Sequence, residues 1–170
     1  MGNHYPFFKA YDIRARVPDE LDAALARRIG RGFAAELEAR RVVVGRDMRL
    51  SSAELADALA EGLMDGGADV LDIGLCGTEE VYYATFNEGS DGGIMVTASH
   101  NPRDYNGMKF VREQARPISA DTGLLAIERR VHANDFPPVE VRGERRRLEH
   151  RPGYIEYLLD QVEPDKYKPL

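Results

Sequence analysis

A serine and a histidine stand side by side in the segment TASHNP, which covers residues 97–102. The apolar run just before it, residues 94–96, predicts a short buried strand, and the Asn-Pro pair after it predicts a turn. Loops that leave the ends of strands in α/β domains often carry catalytic residues. Ser99 and His100 are therefore the first candidates for chemistry.

Two kinds of chemistry could use a serine beside a histidine. A Ser–His hydrolase is disfavoured, because adjacent side chains in an extended segment point apart and the G-x-S-x-G elbow is absent from the sequence. A serine that accepts and returns a phosphoryl group needs nearby cations and a divalent metal. The predicted loops and their borders offer five cations: Lys9, Arg14, Arg46, Arg49 and Lys109. On pattern alone, a plain strand-to-turn junction remains the simpler interpretation.

The composition limits the class of protein. The 170 residues are 43% hydrophobic and 31% charged, with a net charge of -6, which is typical of a globular protein and not of a nucleic-acid binder. The single cysteine, Cys76, rules out a disulfide within the chain and favours a reducing compartment. No apolar run approaches the roughly 20 residues that span a membrane. We expect a cytoplasmic protein without nucleic-acid or membrane partners.

Strands alternate with helices along the first 135 residues. Apolar runs predict strands at 41–45, 69–73, 93–96 and 108–111, and apolar periodicity predicts helices from 18, 51, 79 and about 119 onward. This order predicts a three-layer α/β/α sandwich with a mixed, mostly parallel four-stranded sheet. The connection between the last two strands is too short for a parallel crossover, so that pair should be antiparallel.

Finer details follow from the same patterns. Ser51 and Glu54 have capping-box spacing, and Val81, Tyr82 and Phe86 should be the inward side chains of the third helix. After residue 135 the pattern loosens. Residues 136–170 therefore read as a linker or surface loop pair, a short helix at 154–161 and the approach to a further domain.

Several segments together resemble the α-D-phosphohexomutases. TASHNPRDYNGMK at 97–109 resembles the phosphoserine loop of that family, FKAYDIRA at 8–15 its N-terminal motif, and VVVGRDMRLSS at 42–52 its V-G-x-D-x-R-x-S segment. The segments at 69–86 and 107–124 are similar to the bacterial phosphomannomutases that feed GDP-mannose synthesis. The likeness covers most of residues 7–135, with the motifs in the same order and with similar gaps.

The resemblance assigns roles residue by residue. It implies that Ser99 is the phosphorylated serine, whose phosphate also supplies a magnesium ligand. It also implies that His100 and Lys109 lie beside that phosphate and assist proton transfer and charge stabilisation. Tyr11 and Arg14 match the pair that reaches the phosphoserine and the substrate. Position 15 is Ala where the family usually has Gly, which would be costly if the backbone there needed a positive φ.

The resemblance also implies what surrounds this segment. The family has four domains, and the metal-binding, sugar-selecting and substrate-phosphate loops lie in the second, third and fourth. Residues 1–135 would be the phosphoserine domain of an enzyme that interconverts mannose 6-phosphate and mannose 1-phosphate. The implied cofactors are Mg²⁺ and a glucose or mannose 1,6-bisphosphate activator. A phosphoglucomutase, a phospho-amino-sugar mutase and a truncated, non-catalytic sugar-phosphate-binding module remain the alternatives.

Overall fold

A single mixed sheet organises the chain. In the computed structural model, which describes residues 5–162, the elements in chain order are β1 Asp12–Arg16, α1 Ala23–Leu37, β2 Arg41–Arg46, α2 Ser52–Asp65, β3 Asp69–Leu75, α3 Thr78–Asn87, β4 Gly92–Val96, β5 Tyr105–Arg112, α4 Leu124–Ala133, β6 Arg145–Arg147 and α5 Arg151–Asp160. The strand order across the sheet is β1-β5-β4-β2-β3-β6. No helix within residues 5–162 is long and apolar enough to cross a membrane.

The sheet is mixed, as predicted, but larger than predicted. β4 and β5 pair antiparallel, which confirms the prediction for that connection, and β1 pairs antiparallel with β5. The β2–β3, β2–β4 and β3–β6 pairs are parallel. The prediction of four strands was wrong because the two outer strands, DIRAR and RRR, have too few apolar residues to stand out in the sequence. Both are edge strands, which need less apolar content because only one side is paired.

Helices cover both faces of the sheet and confirm the three-layer architecture. α1 packs against α2 and α4 on one face, where Ile13, Val42, Val44, Ile94 and Met108 point into the main core. α3 lies over β2 and β4 on the opposite face, around Val43, Val81 and Met95. α5 packs against α3 through the rings of Tyr83, Tyr154 and Tyr157.

α1 and α2 approach each other closely through two glycines. A Cβ atom on Gly62 would lie 1.9 Å from the Arg27 carbonyl oxygen, and one on Gly30 would lie 2.3 Å from that of Leu59. The two backbones therefore touch where the helices cross. This contact fixes α2, and with it the loop that connects β2 to α2.

Three local predictions need correction. α1 begins after Asp22, whose Oδ1 accepts the Leu25 N–H at 2.7 Å, and not at residues 18–20. Ser51 makes no side-chain cap on α2; its Oγ accepts from Asn106 Nδ2 instead, at 2.8 Å. In α3 the buried residues are Val81, Tyr83, Ala84 and Thr85, while Tyr82 and Phe86 are only half-buried.

The segment after residue 135 is only partly the linker that the sequence suggested. Residues 145–147 form β6 and pair with β3, and residues 151–160 form α5, so this segment belongs to the same sheet and layers. The sequence hid this strand because β6 consists of three exposed arginines held by backbone pairing. The predicted division at residue 135 stays a prediction, and the predicted approach to a second domain lies in residues 165–170, outside the described residues.

Candidate active site

Two loops meet at the point where the sheet reverses its order. From β2 the chain crosses through α2 to β3 on one side, and it returns through α3 to β4 on the other side of β2. The loops after β2 and β4, residues 47–51 and 97–104, therefore leave neighbouring strands at the carboxyl edge of the sheet. Ligands of open α/β sheets bind at such switch points. The candidate residues Arg49, Ser99 and His100 lie in these two loops.

Ser99 and His100 form a pair at the tip of the second loop. Ser99 Oγ lies 3.2 Å from His100 Nδ1, and both side chains are exposed. The expectation that these neighbours point apart was wrong, because Ser99 is not extended but has a left-handed backbone with φ of 54°. This geometry lets the imidazole accept the hydroxyl proton, or donate to an oxygen bound at Oγ.

The N–H group of Ser99 is held by a chain of side chains. It donates to Thr97 Oγ1 at 2.9 Å, and Thr97 Oγ1 donates to Asp47 Oδ2 at 2.7 Å. Asp47 Oδ1 accepts from Ser52 Oγ at 2.5 Å and from the Arg49 N–H at 3.0 Å. Asp47 thus ties the loop after β2 to the loop after β4.

Asn106 fixes the far end of the serine loop. It is fully buried, its Nδ2 donates to Ser51 Oγ at 2.8 Å and Ser52 Oγ at 2.9 Å, and its Oδ1 accepts the Gly107 N–H at 2.8 Å. Asp47, Thr97 and Asn106 were not singled out from the sequence. The D-x-R-x-S spacing and the N-G pair were the only signals that could have indicated them.

Arg49 lies beneath the serine loop with its side chain only 14% exposed. Its guanidinium donates to the carbonyls of Ser99 at 2.9 Å, Asn101 at 2.6 Å, Pro102 at 2.7 Å and Tyr105 at 3.0 Å. Arg49 was one of the cations considered for phosphate. The structure uses it to hold backbone.

Arg14 and Lys109 lie on the same face of the sheet as Thr97. Arg14 pairs with Gly107 across β1 and β5, and Gly107 pairs in turn with Thr97, whose N–H donates to the Gly107 carbonyl at 2.9 Å. Lys109 lies two residues further along β5, opposite Asp12. α3 covers β2 and β4 on this face, which leaves both cations partly exposed.

The two cations differ in their partners. Arg14 Nε donates to Asp12 Oδ2 at 2.8 Å, and the Asp12 side chain is only 9% exposed. The Lys109 side chain makes no hydrogen bond or ion pair with any residue between 5 and 162. Lys109 is therefore the better placed of the two to take a new anionic partner.

The remaining predicted positions are less closely tied to the serine. Tyr11 stands just before β1 with its side chain largely in solvent, at 71% exposure, and three residues from Arg14. Ala15 is fully buried in β1 and its φ is not positive. The cost considered for Ala in place of Gly at this position therefore does not arise.

Other potential nucleophiles are unsuited to the task. Cys76 follows β3 at the same edge, but burial, and then the charge of Glu80, raise the pKa of its thiol to about 12. A thiol with that pKa is protonated near neutral pH and is a poor nucleophile. Ser52 is fully buried and its hydroxyl is bonded to Asp47, and Ser119 Oγ is bonded to Thr122 at 3.0 Å.

An open cleft of about 620 Å³ adjoins Ser99. Arg103 and Asp104 line it, together with the highly exposed Met48 and Leu50. Within residues 5–162, no three His, Cys, Asp or Glu side chains cluster as metal ligands. Besides Asp104 the structure brings Asp47 to this edge, but its oxygens already accept hydrogen bonds. These residues do not make up a magnesium site by themselves.

The fold and this edge define an α/β/α domain of the doubly wound kind with its site at the switch point. The family model described as phosphoglucomutase/phosphomannomutase, alpha/beta/alpha domain I matches residues 6–138. The chain therefore belongs to the phosphoglucomutase/phosphomannomutase family and corresponds to its domain I. Its relatives bear this out.

The phosphomannomutase of Salmonella montevideo is 54% identical over 170 residues, which are 99% of this chain and 37% of the relative. The phosphohexose mutases protein of Xanthomonas campestris is 55% identical over 97% of this chain and 37% of its own length. A crystal structure of a phosphoglucomutase/phosphomannomutase family protein from Burkholderia thailandensis superimposes with a TM-score of 0.83 at 36% identity, over 94% of this chain and 36% of that one. The chain thus spans little more than a third of the length of these relatives.

Proposed function

We propose that this domain carries the phosphoryl group of a phosphomannomutase, with Ser99 as the carrier. In the first proposed step the Ser99 Oγ–P bond breaks as a P–O bond forms to the free hydroxyl of a hexose monophosphate, which gives a hexose 1,6-bisphosphate. In the return step the P–O bond at the other position of the sugar breaks as a new Ser99 Oγ–P bond forms. The Ser99 hydroxyl proton passes to His100 Nδ1 in this return step, and the leaving sugar oxygen takes up a proton to become a free hydroxyl. The whole enzyme would interconvert mannose 6-phosphate and mannose 1-phosphate.

The observation that carries the proposal is the state of Ser99. It is an exposed serine at the switch point, paired with an imidazole nitrogen at 3.2 Å, while the hydroxyls of Ser52 and Ser119 are bonded elsewhere. Lys109, and Arg14 on the neighbouring strand, supply positive charge on the same face. Such charge stabilises the oxygens of a transferring phosphoryl group.

Enzymes of this family are metal-dependent. In the proposed enzyme the Ser99 phosphate gives Mg²⁺ one ligand, and the remaining ligands come from a second domain outside these 170 residues. A glucose or mannose 1,6-bisphosphate is the proposed activator that phosphorylates Ser99.

The preference for mannose follows the names of the relatives, and a phosphoglucomutase or phospho-amino-sugar mutase would use the same domain. A cytoplasmic location and a role in GDP-mannose supply are predictions of the same kind.

The test uses an enzyme of the relatives' full length that carries this sequence as its first domain. After incubation with glucose 1,6-bisphosphate and Mg²⁺, intact mass should rise by one phosphate, peptide mapping should place it on Ser99, and mannose 1-phosphate should turn over. Ser99→Ala should abolish both, whereas the matched control Ser119→Ala should keep both. A phosphate mapped to Ser51, Ser52 or Ser119 would refute the assignment. Binding of the sugar phosphate without turnover would favour the non-catalytic sugar-phosphate-binding module.

A further inference from the structure

All four Nη–H bonds of the Arg49 guanidinium are directed at backbone carbonyls, and Nε lies beside a carboxylate. Nη1 and Nη2 donate to the four loop carbonyls of Ser99, Asn101, Pro102 and Tyr105, and Nε faces Asp47 Oδ2 at 3.4 Å. A guanidinium has five N–H donors in a rigid plane. All four Nη–H donors are thus committed to the loop backbone, although the side chain lies under the serine that we propose to be phosphorylated.

The carbonyls that Arg49 binds are those of the strained turn. Ser99 holds a φ of 54°, a conformation that is unfavourable for a non-glycine residue and persists only where the surroundings enforce it. In this loop, carbonyls from residues 99–105 converge on one point. The Arg49 guanidinium, a cation with several donors, occupies that point and relieves their mutual repulsion.

Asp47 connects the Arg49 contacts on the carbonyl side of Ser99 to the Thr97 hydrogen bond on its N–H side. Its carboxylate accepts from Thr97, whose hydroxyl oxygen accepts the Ser99 N–H, and the same carboxylate faces Arg49, which binds the Ser99 carbonyl. Both polar groups of the Ser99 backbone are thus fixed by side chains that meet at one carboxylate. The direction of Ser99 Oγ toward His100 depends on that backbone.

We propose that Arg49, oriented by Asp47, is a positioning residue that fixes the left-handed backbone of Ser99 and so aims its Oγ for phosphoryl transfer. The proposal rests on the proposed function of Ser99 and adds a residue that touches neither substrate nor phosphate. A lysine cannot replace it, because one ammonium group has three donors on a single atom and cannot reach four carbonyls in a plane.

The test compares four variants of the full-length enzyme: Arg49→Lys, Arg49→Met, Ser99→Ala and Arg130→Lys. Arg130 is the matched control, since it is a partly buried arginine paired with Glu36 at 2.8 Å, far along the chain from the serine loop. Steady-state kinetics with mannose 1-phosphate should show kcat lowered about 100-fold in both Arg49 variants, because misplacement of a reacting group by about 1 Å costs that much. KM should stay within about threefold, since Arg49 binds no substrate.

A measurement of hydrogen exchange and a second pair of variants separate the positioning role from a general loss of stability. Hydrogen exchange should be faster at the Asn101 and Tyr105 amides, which are bonded within the loop, in the Arg49 variants and unchanged in Arg130→Lys. If the Arg49 variants do not fold, Thr97→Val and Thr97→Ser test the same hold from the N–H side. Thr97→Val should lower kcat by a similar factor, and Thr97→Ser, which keeps the hydroxyl, should restore it.

The outcomes distinguish this inference from the function on which it rests. Unchanged kcat in Arg49→Lys, or a raised KM with unchanged kcat, would overturn the positioning role while leaving Ser99 as the carrier. If folded Thr97→Val keeps its kcat, the positioning role is likewise overturned. Turnover by Ser99→Ala would instead overturn the proposed function itself.

Discussion

At Ser99 the chain adopts a backbone conformation that serine ordinarily avoids, and the neighbouring residues hold it there. Its N–H and C=O groups are both hydrogen-bonded to side chains, while its hydroxyl is left exposed beside His100. Residues kept in sparsely populated backbone regions persist only when their surroundings over-determine them. The loop is thus built around the direction of a single hydroxyl.

Arg14 and Lys109, the two cations on the Thr97 face of the sheet, should respond differently to replacement. Lys109→Met should change the free energy of unfolding by no more than about 0.5 kcal/mol, since the Lys109 side chain has no hydrogen-bond or ion-pair partner within residues 5–162. It should nevertheless lower turnover of the full-length enzyme by orders of magnitude. Arg14→Met should lower turnover as strongly and also lower the melting temperature, because it leaves the nearly buried Asp12 carboxylate unpaired. Arg129→Met, at an exposed cation on α4, serves as the control. Severe unfolding of Lys109→Met with little loss of specific activity would contradict a role toward phosphate.

Cys76 should be inert in the folded protein. Because burial and the charge of Glu80 raise the pKa of its thiol to about 12, the native chain at pH 8 should resist iodoacetamide over hours. In denaturant the thiol regains an ordinary pKa near 9.0 and should react within minutes. Mass spectrometry after timed quenching measures both rates. Equal rates in the folded and unfolded chain would show that the thiol is neither buried nor held protonated.

Among the elements, the crossing of α1 and α2 should tolerate no added methyl group at its centre. Gly62→Ala places Cβ against the Arg27 carbonyl and should destabilise the protein by about 1–3 kcal/mol, although alanine favours a helix. Gly32→Ala is the control, because its nearest neighbour at 3.0 Å is a Val131 side-chain carbon that can move. Denaturant unfolding at constant m-value measures both. A Gly62→Ala protein as stable as the parent would mean that the helices do not touch there.

The carboxyl end of α2 is held to α1 and to the segment before β6 by a carboxylate between two arginines. Burial alone would raise the pKa of Asp65, but hydrogen bonds from Arg142 and Arg27 outweigh it, so the pKa lies below its ordinary value of 3.8. A lowered pKa in the folded state adds stability that is present above the unfolded pKa and is lost as the pH falls through the folded one. The stability that Asp65 adds at the carboxyl end of α2 is therefore fully present near neutral pH.

We therefore expect Asp65→Asn to lower the melting temperature at pH 7, by an amount corresponding to about 1 kcal/mol or less because both arginines are half exposed. The difference from the parent should shrink below about pH 4 and vanish under the folded pKa. Asp19→Asn, at an exposed carboxylate, is the control. A difference that is constant from pH 7 to pH 3 would show that the carboxylate charge is not what stabilises this end of α2.

For the whole molecule, the six-stranded sheet with helices on both faces should suffice for folding but not for catalysis. The 170-residue chain should unfold cooperatively, and Mg²⁺ should hardly shift its melting, because residues 5–162 contain no ligand cluster for it. A coupled assay with mannose 1-phosphate, bisphosphate activator and Mg²⁺ should stay at background. Positioning of substrate can account for about 7–11 kcal/mol of a barrier, and the relatives are nearly three times as long. Clear turnover, with host mutase excluded, would contradict this.

Much of the architecture could be predicted from the sequence, because it depends on local patterns. Apolar runs located the four inner strands, apolar periodicity located α1 to α4, and the short connection before β5 predicted the antiparallel pair. The quoted motifs indicated the family, which the match over residues 6–138 confirms. These features survive because burial of a strand or a helix face constrains residue types along the chain itself.

The tertiary structure alone decided the rest, since it joins residues distant in sequence. β1 and β6 escaped notice because edge pairing is made by the backbone and leaves little trace in apolar content. Arg49 looked like any loop cation until the fold brought the carbonyls of residues 99–105 around it. Likewise Ser99 and His100 meet only because contacts about fifty residues away in sequence enforce a left-handed turn that the serine would not adopt by itself.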